Sequence, residues 1–194
     1  MLGVLAIVGV LSVGGIAGYS KAMEKFKINK TADQISQIVT NIRTLYAQQT
    51  TYAGLNTSNA IKMGVTPDDL GSGTTLTHAF GSDIEIVSGD YSTSLEHFSI
   101  YIYNPPAGAC ISLATMDWGN SSSSGLIAMS IGSWAGYDEA TTANNCSSKY
   151  PDPSGGTPLQ HCSKDGPLPI THAANACKNA EEKYSDYFIG LKFH

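Results

Sequence analysis

The sequence predicts an α+β fold: a long N-terminal α-helix packed on an antiparallel β-sheet, with a disulfide-stapled C-terminal region. Three observations carry this. An uncharged apolar stretch runs directly into an amphipathic helical pattern. Short segments of two-residue alternation follow, separated by turn residues. All four cysteines lie in the second half of the chain, most of them in its turn-rich part.

The N-terminal element comes first. Residues 1–19, MLGVLAIVGVLSVGGIAGY, are apolar except for Ser12. As a helix they span roughly 28 Å, close to the hydrocarbon thickness of a bilayer. The stretch does not read as a cleavable signal peptide. No basic segment precedes the apolar run, the run is too long, and no A-x-A site follows it. Gly3, Gly9, Gly14, Gly15 and Gly18 fall within it. Each weakens a helix by about 1 kcal/mol relative to Ala and lets neighbouring backbones approach closely. Such a helix can pack against copies of itself and can unwind locally.

From Ser20 the sequence turns polar but keeps the helical period. Phe26, Ile35, Ile38, Val39, Ile42, Leu45 and Tyr46 form one apolar stripe, with Lys27, Lys30, Gln34, Asn41 and Arg43 mostly elsewhere. The expectation is a single helix of about 48 residues, near 72 Å long, inside an N-terminal unit spanning 1–52. Residues 1–19 are its all-apolar half and 20–52 its amphipathic half. Ile35, Ile38, Val39, Ile42 and Leu45 are the positions expected to lie on the sheet. Thr31 has a capping-box spacing, but the periodicity runs through it.

Residues 53–194 form the expected globular head. Its first part, 53–82, reads as a loop with a helical turn from Asn59 to Met63. Thr66 and Pro67 are cap and first residue of a second short helix. Residues 83–131 carry the alternation: a strand at Ile84 to Val87, a strand at Phe98 to Tyr103, and a third from Leu126 to Ile131. In the second strand Phe98, Ile100 and Ile102 share a face. Pro105-Pro106 ends it, and Ala107 to Trp118 reads as a helix bearing Cys110. In residues 132–194 turn chemistry dominates from Gly132 to Lys178. A helix then presents Cys177 between Thr171 and Tyr184, and Tyr187 to Phe193 is a terminal strand.

Composition narrows the function. Only 14% of residues are charged against 42% hydrophobic, and the charge is segregated. Residues 21–52 carry five basic and two acidic side chains, net +3; residues 53–194 carry six and fourteen, net −8. An acidic body repels a phosphate backbone, so no nucleic acid is expected on the head. No nucleophile elbow, zinc-binding H-E-x-x-H, P-loop or dinucleotide motif is present, and no enzyme is expected. Neither cofactor nor metal is expected: Asp68-Asp69 and Asp138-Glu139 lack the spacing of an EF-hand calcium loop. The five histidines (His78, His97, His161, His172, His194) are scattered and read as surface or capping residues. Asn56 and Asn120 fit a glycosylation acceptor pattern but read as loop solvation. Cys110, Cys146, Cys162 and Cys177 contain no C-x-x-C and read as two disulfides in an oxidising compartment, with three pairings open. Lys21, Lys25, Lys27 and Lys30 would hold the head in the cytoplasm by the positive-inside rule. That agrees with disulfides only if a more basic segment precedes Met1.

These residues resemble the type IV pilins, and more narrowly their type IVb class. MLGVLAIVGVLSVGGIAGYSKA is similar to the pilin helix just after the leader junction and its T-L-I-E. YAGLNTSNAIKMGVTPDD, THAFGSDIEIV and NPPAGACISLATMDW are similar to the αβ-loop, first strand and cysteine-bearing helix of that class. The similarity covers most of the chain and is weakest from Gly132 to His161. The family's basic leader, cleavage-site glycine and early glutamate are absent, so the expectation is that either the sequence begins late or this copy is truncated, and no residue here inherits that glutamate's role.

The resemblance implies a type IV pilin-like fold and a structural role. The chain would be the major subunit of an extracellular type IV pilus on a bacterial surface; a minor pilin or type II secretion pseudopilin is the alternative. Its partners would be copies of itself in a helical homopolymer, the inner membrane before assembly, a prepilin peptidase and the pilus assembly machinery. Leu2, Val4, Leu5, Ile7 and Leu11 would join the filament core, where Gly9, Gly14, Gly15 and Gly18 would let the helix melt. The family's disulfide maps onto Cys110–Cys177, leaving Cys146–Cys162 as a second bridge. The D-region would be 132–194.

Overall fold

The computed structural model describes the backbone of residues 2–71, 73–89, 95–119, 125–133, 161–164 and 166–194. The first element, α1, runs from Leu2 to Leu45, 44 residues and about 66 Å long. It ends before the expected limit: Tyr46 still bonds back to Ile42, but the chain then turns. After α1 come a short helix α2 (Thr57–Lys62), a 3-10 turn (Asp68–Leu70), and strands β1 (Leu76–Thr77), β2 (Asp83–Ser88) and β3 (Phe98–Tyr103). Helix α3 (Ala107–Ala114), β4 (Leu126–Gly132), β5 (His161–Lys164), α4 (Ile170–Lys183) and β6 (Phe188–Phe193) complete the order.

The strands form one antiparallel sheet in the order β1-β2-β3-β6-β4-β5. The terminal strand therefore sits in the middle. Its register builds continuous apolar rows across the sheet. Leu76, Ile84, Ile102, Ile189 and Ile131 are successive partners, and so are Ile86, Ile100, Leu191 and Met129. Helices α1, α3 and α4 contribute to the same core as these rows, through Ile35, Ile38, Ile42, Cys110, Leu113 and Cys177 among others. A register shift between Leu126 and Ala128 inserts one residue opposite β6.

Alternation misreads the other face. Ser99, Tyr101 and Lys192 point away from the helix-covered rows yet are buried, and Val87, Tyr101 and Phe188 form a second small cluster there. Gly190 sits between Tyr101 and Ser130 in that row. A Cβ on it would lie 2.9 Å from Ser130 Oγ and 3.2 Å from the Tyr101 ring, so the close crossing requires glycine.

Several sequence expectations are corrected. The second short helix is a 3-10 turn with Pro67, not Thr66, in the cap position, and no side chain caps it. The cysteine helix stops at Ala114, where Thr115 Oγ1 donates back to the Ile111 carbonyl; the Trp118 indole then donates to the Leu113 carbonyl. Strands β1 and β5 arise in segments read as loop. His78 and His97 are buried rather than superficial. The His78 ring bonds the Tyr103 carbonyl through Nε2 at 2.8 Å, and Nδ1 accepts from the Phe80 amide. Burial, the larger effect, pushes its pKa down against the opposing influences of Tyr103 and Asp83. Leu45 is 49% exposed: the buried stripe continues from Ile42 by four residues to Tyr46, whose ring meets Tyr52 at 5.2 Å.

Cys110 on α3 and Cys177 on α4 are joined, 67 residues apart. In the loop-entropy model that closure contributes about 4 kcal/mol. Cys146, the pair Asp138-Glu139, Asn120 and most of the turn-rich region lie outside the described residues, as does the Cys162 side chain and with it the Cys146–Cys162 pairing.

Candidate functional site

The feature that sets this molecule apart from an ordinary α+β domain is how α1 is divided. From Ile28 to Ile42 it is part of the core. Ile28, Ala32, Ile35, Ile38, Val39 and Ile42 are all buried. Below Ile28 the head covers only part of the helix: Met23 is half-buried and Glu24 lies against Gly108 of α3, but the outer face is open. Ile16 and Tyr19 are each 67% exposed and Phe26 is 60% exposed, although Phe26 continues the apolar spacing. Ile28 takes the buried place instead. The side chains of Leu2, Val4, Leu5, Ile7 and Leu11 lie outside the described residues, and for Gly9, Gly14 and Gly15 only the helical backbone is described. A Cβ built on Gly18 meets nothing within 4 Å, so the subunit's own packing does not demand glycine there.

The collar where α1 enters the head is polar and specific. The Lys30 ammonium pairs with the Asp69 carboxylate at 2.9 Å. The Lys30 and Gln34 side chains hold the Asp69 carboxyl below the usual carboxylate range. Lys27 lies over the Phe80 ring, 5.6 Å from its centroid. Asn41 donates to the Val65 carbonyl at 3.0 Å. These contacts fasten the loop between α1 and β1, and the β1–β2 turn at Phe80, onto the helix. Thr31 and Gln34 are buried on the helix face that carries Ile35 and Ile38, and neither Thr31 Oγ1 nor Gln34 Oε1 has a partner. An unpaired buried acceptor costs about 1–3 kcal/mol. Sequence reading placed Gln34 off the stripe; its spacing of four from Ile38 would have placed it on it.

Two grooves open beside these elements. One, about 410 Å³, lies between α1 and the 3-10 turn, walled by Phe26, Asn29, Asp33, Gln34 and Asp69. The other, about 910 Å³, follows the outer part of β2, where Tyr103 donates to Glu85 at 2.7 Å. Among the described residues no group of His, Cys, Asp and Glu is placed to hold a metal ion. Among them, too, no helix is long and apolar enough to cross a membrane; the side chains of residues 1–15 and 17 are outside that description.

A helix half sealed into an antiparallel sheet and half standing free of it, with α3 and α4 tied by a disulfide, defines the type IV pilin fold. TcpA, a type IV pilin from Vibrio cholerae El Tor biotype, superposes with a TM-score of 0.51 over 87% of this chain and 99% of that chain, at 13% identity. The family model described as PilS N terminal matches residues 25–184; the chain belongs to that family and is a type IVb pilin. Two sequence relatives are each named the major structural subunit of bundle-forming pilus. That of Escherichia coli O111:H- is 24% identical over 180 residues, 92% of this chain and 84% of the relative. That of Escherichia coli O127:H6 (strain E2348/69 / EPEC) is 23% identical over the same shares.

Proposed function

We propose that this chain is the major structural subunit of an extracellular type IV pilus and polymerises through α1. The observation that carries the reading is the uncovered lower half of the helix, with Ile16, Tyr19 and Phe26 exposed beneath a well-packed head. Residues 1–20 hold no charged side chain, so this half is compatible with lipid and with protein alike. Before assembly it would sit in the inner membrane, where a prepilin peptidase and the assembly machinery act on it. In the fibre the same surface would pack against copies of itself, Leu2, Val4, Leu5, Ile7 and Leu11 among it. Because lipid is as apolar as these side chains, the exchange draws on van der Waals packing between helices rather than on removal of surface from water, repeated along the polymer. The relatives' names and the shared family support the major-subunit role.

Gly9, Gly14, Gly15 and Gly18 would allow close packing and local melting of the helix on assembly. Gly18, open on all sides within the subunit, fits a requirement imposed from outside it. Cys146–Cys162 is proposed as a second bridge in an oxidised, secreted head. The test is electron microscopy of material sheared from cells expressing the full gene. Long thin fibres containing this chain, with the α1 helices at the core, are the expected result. A chain confined to the membrane fraction, without fibres, would sink the proposal.

A further inference from the structure

We propose that the groove between α1 and the 3-10 turn receives a second copy of this chain, its Asp33 carboxylate taking the Lys25 ammonium of that copy's projecting helix. The inference deepens the assembly reading above and rests on it. Four observations converge on the groove.

The first is an unmet acceptor. Gln34 is 5% exposed and lines the groove; its side chain bonds Asp69, while its Oε1 has no donor. A buried amide oxygen without a partner marks a place where an incoming donor is accommodated at gain. The second is continuity. Phe26 stands exposed at the groove's edge, and Tyr19 and Ile16 extend the exposed apolar surface down the helix. A neighbour seated on that surface reaches the groove without leaving it. The third is charge. Of the four collar lysines, Lys27 is engaged with Phe80 and Lys30 with Asp69. Lys21 and Lys25 are exposed, and among the described residues neither is paired; Asp33, in the groove wall, also has no cation.

The fourth is geometry. Lys25 and Asp33 are eight residues apart on one straight helix, about 12 Å along its axis. They cannot meet within a chain. Between parallel neighbouring helices the pairing is heterologous, Lys25 of one copy on Asp33 of the next, and repeats as an open helical filament unless its rotation closes a ring; antiparallel neighbours would instead form both pairs in a closed dimer. Parallel neighbouring helices would then be staggered by about 12 Å. Rim charges of this sort set register and partner choice more than raw affinity.

The experiment uses the full gene in fibre-forming cells, with Lys25→Glu, Asp33→Lys and the exchanged pair K25E/D33K. Subunit level and an intact Cys110–Cys177 bridge report that the head is folded. Each single variant is expected to lower sheared-fibre yield about tenfold, and the exchanged pair to restore it. Single variants with unchanged yield, or an exchanged pair no better than the singles, would overturn the Lys25–Asp33 contact. Absence of fibres from the unaltered chain would instead defeat the assembly reading itself.

Discussion

The two halves of α1 are built from one continuous helix and face opposite situations. Between Ile28 and Ile42 every large apolar side chain on the inner face is buried against the sheet and α3. Between Ile16 and Phe26, among the described residues, only Met23 is half-buried, while Ile16, Tyr19 and Phe26 stay largely exposed. The upper half completes a core that exists in one subunit. The lower half carries the same kind of surface without the sheet. One helix thus completes a core within the subunit and carries an apolar surface beyond it, the head releasing it at a defined point. Here that point is the collar of Lys27, Lys30 and Asp69.

The contrast can be broken from either side, and the largest effect belongs to the head. Replacing Cys110 and Cys177 together by Ser should cost about 4 kcal/mol of head stability, read from denaturant unfolding of the detergent-solubilised subunit. Ile38→Ala, in the sealed half, should cost about 2–5 kcal/mol in the same measurement. Ile16→Ala, in the free half, should leave that midpoint within about 0.5 kcal/mol while lowering fibre yield. Equal effects of the two substitutions on unfolding would remove the distinction between the halves. Gly190→Val, beneath the Tyr101 ring, should cost about 1–3 kcal/mol by overpacking; no loss would mean the sheet face opens more easily than the 3.2 Å approach implies.

The smallest effect is one of pH. His78 is held neutral by burial, so its folded-state pKa is below the ordinary 6.5. Below that value the unfolded chain takes up a proton that the folded one refuses. Stability should thus fall as pH drops through 6.5 toward the lowered folded value, and be full above it. In His78→Gln that part of the slope should disappear. The Tyr187 hydroxyl, which donates to the Pro105 carbonyl, is pushed up to about 12 by burial and by Glu181 and stays neutral throughout.

Much of this architecture was readable from residue order. The strands at Ile84, Phe98 and Leu126 lie where the alternation and turn residues put them. The helix stripe at Ile35, Ile38, Val39 and Ile42 follows from the period alone. The misses share a cause. Strand β1 has two residues and β5 four, too short to show a period; each is recruited by backbone pairing to β2 or β4. Leu45 kept the spacing but fell outside the head's reach, while Tyr46 was captured by Tyr52. The terminal strand was legible, but not its place: it sits in the centre of the sheet and is buried along its whole length, Lys192 included. The groove at Asp33 was not legible because its far wall, Pro67 to Asp69, is distant in sequence.

What the sequence determined by itself is periodic and local: a helix with an uncharged half and a striped half, four strands, and cysteines awaiting partners. Side-chain period and turn chemistry act over a few residues, so they are written directly in the order of residues. What only the tertiary structure decided is where the head lets go of α1, which cysteine meets Cys110, which strand takes the centre, and which polar atoms are buried without partners. Those outcomes depend on contacts between segments many residues apart. Their free energy is set by how surfaces meet, and no local pattern encodes it.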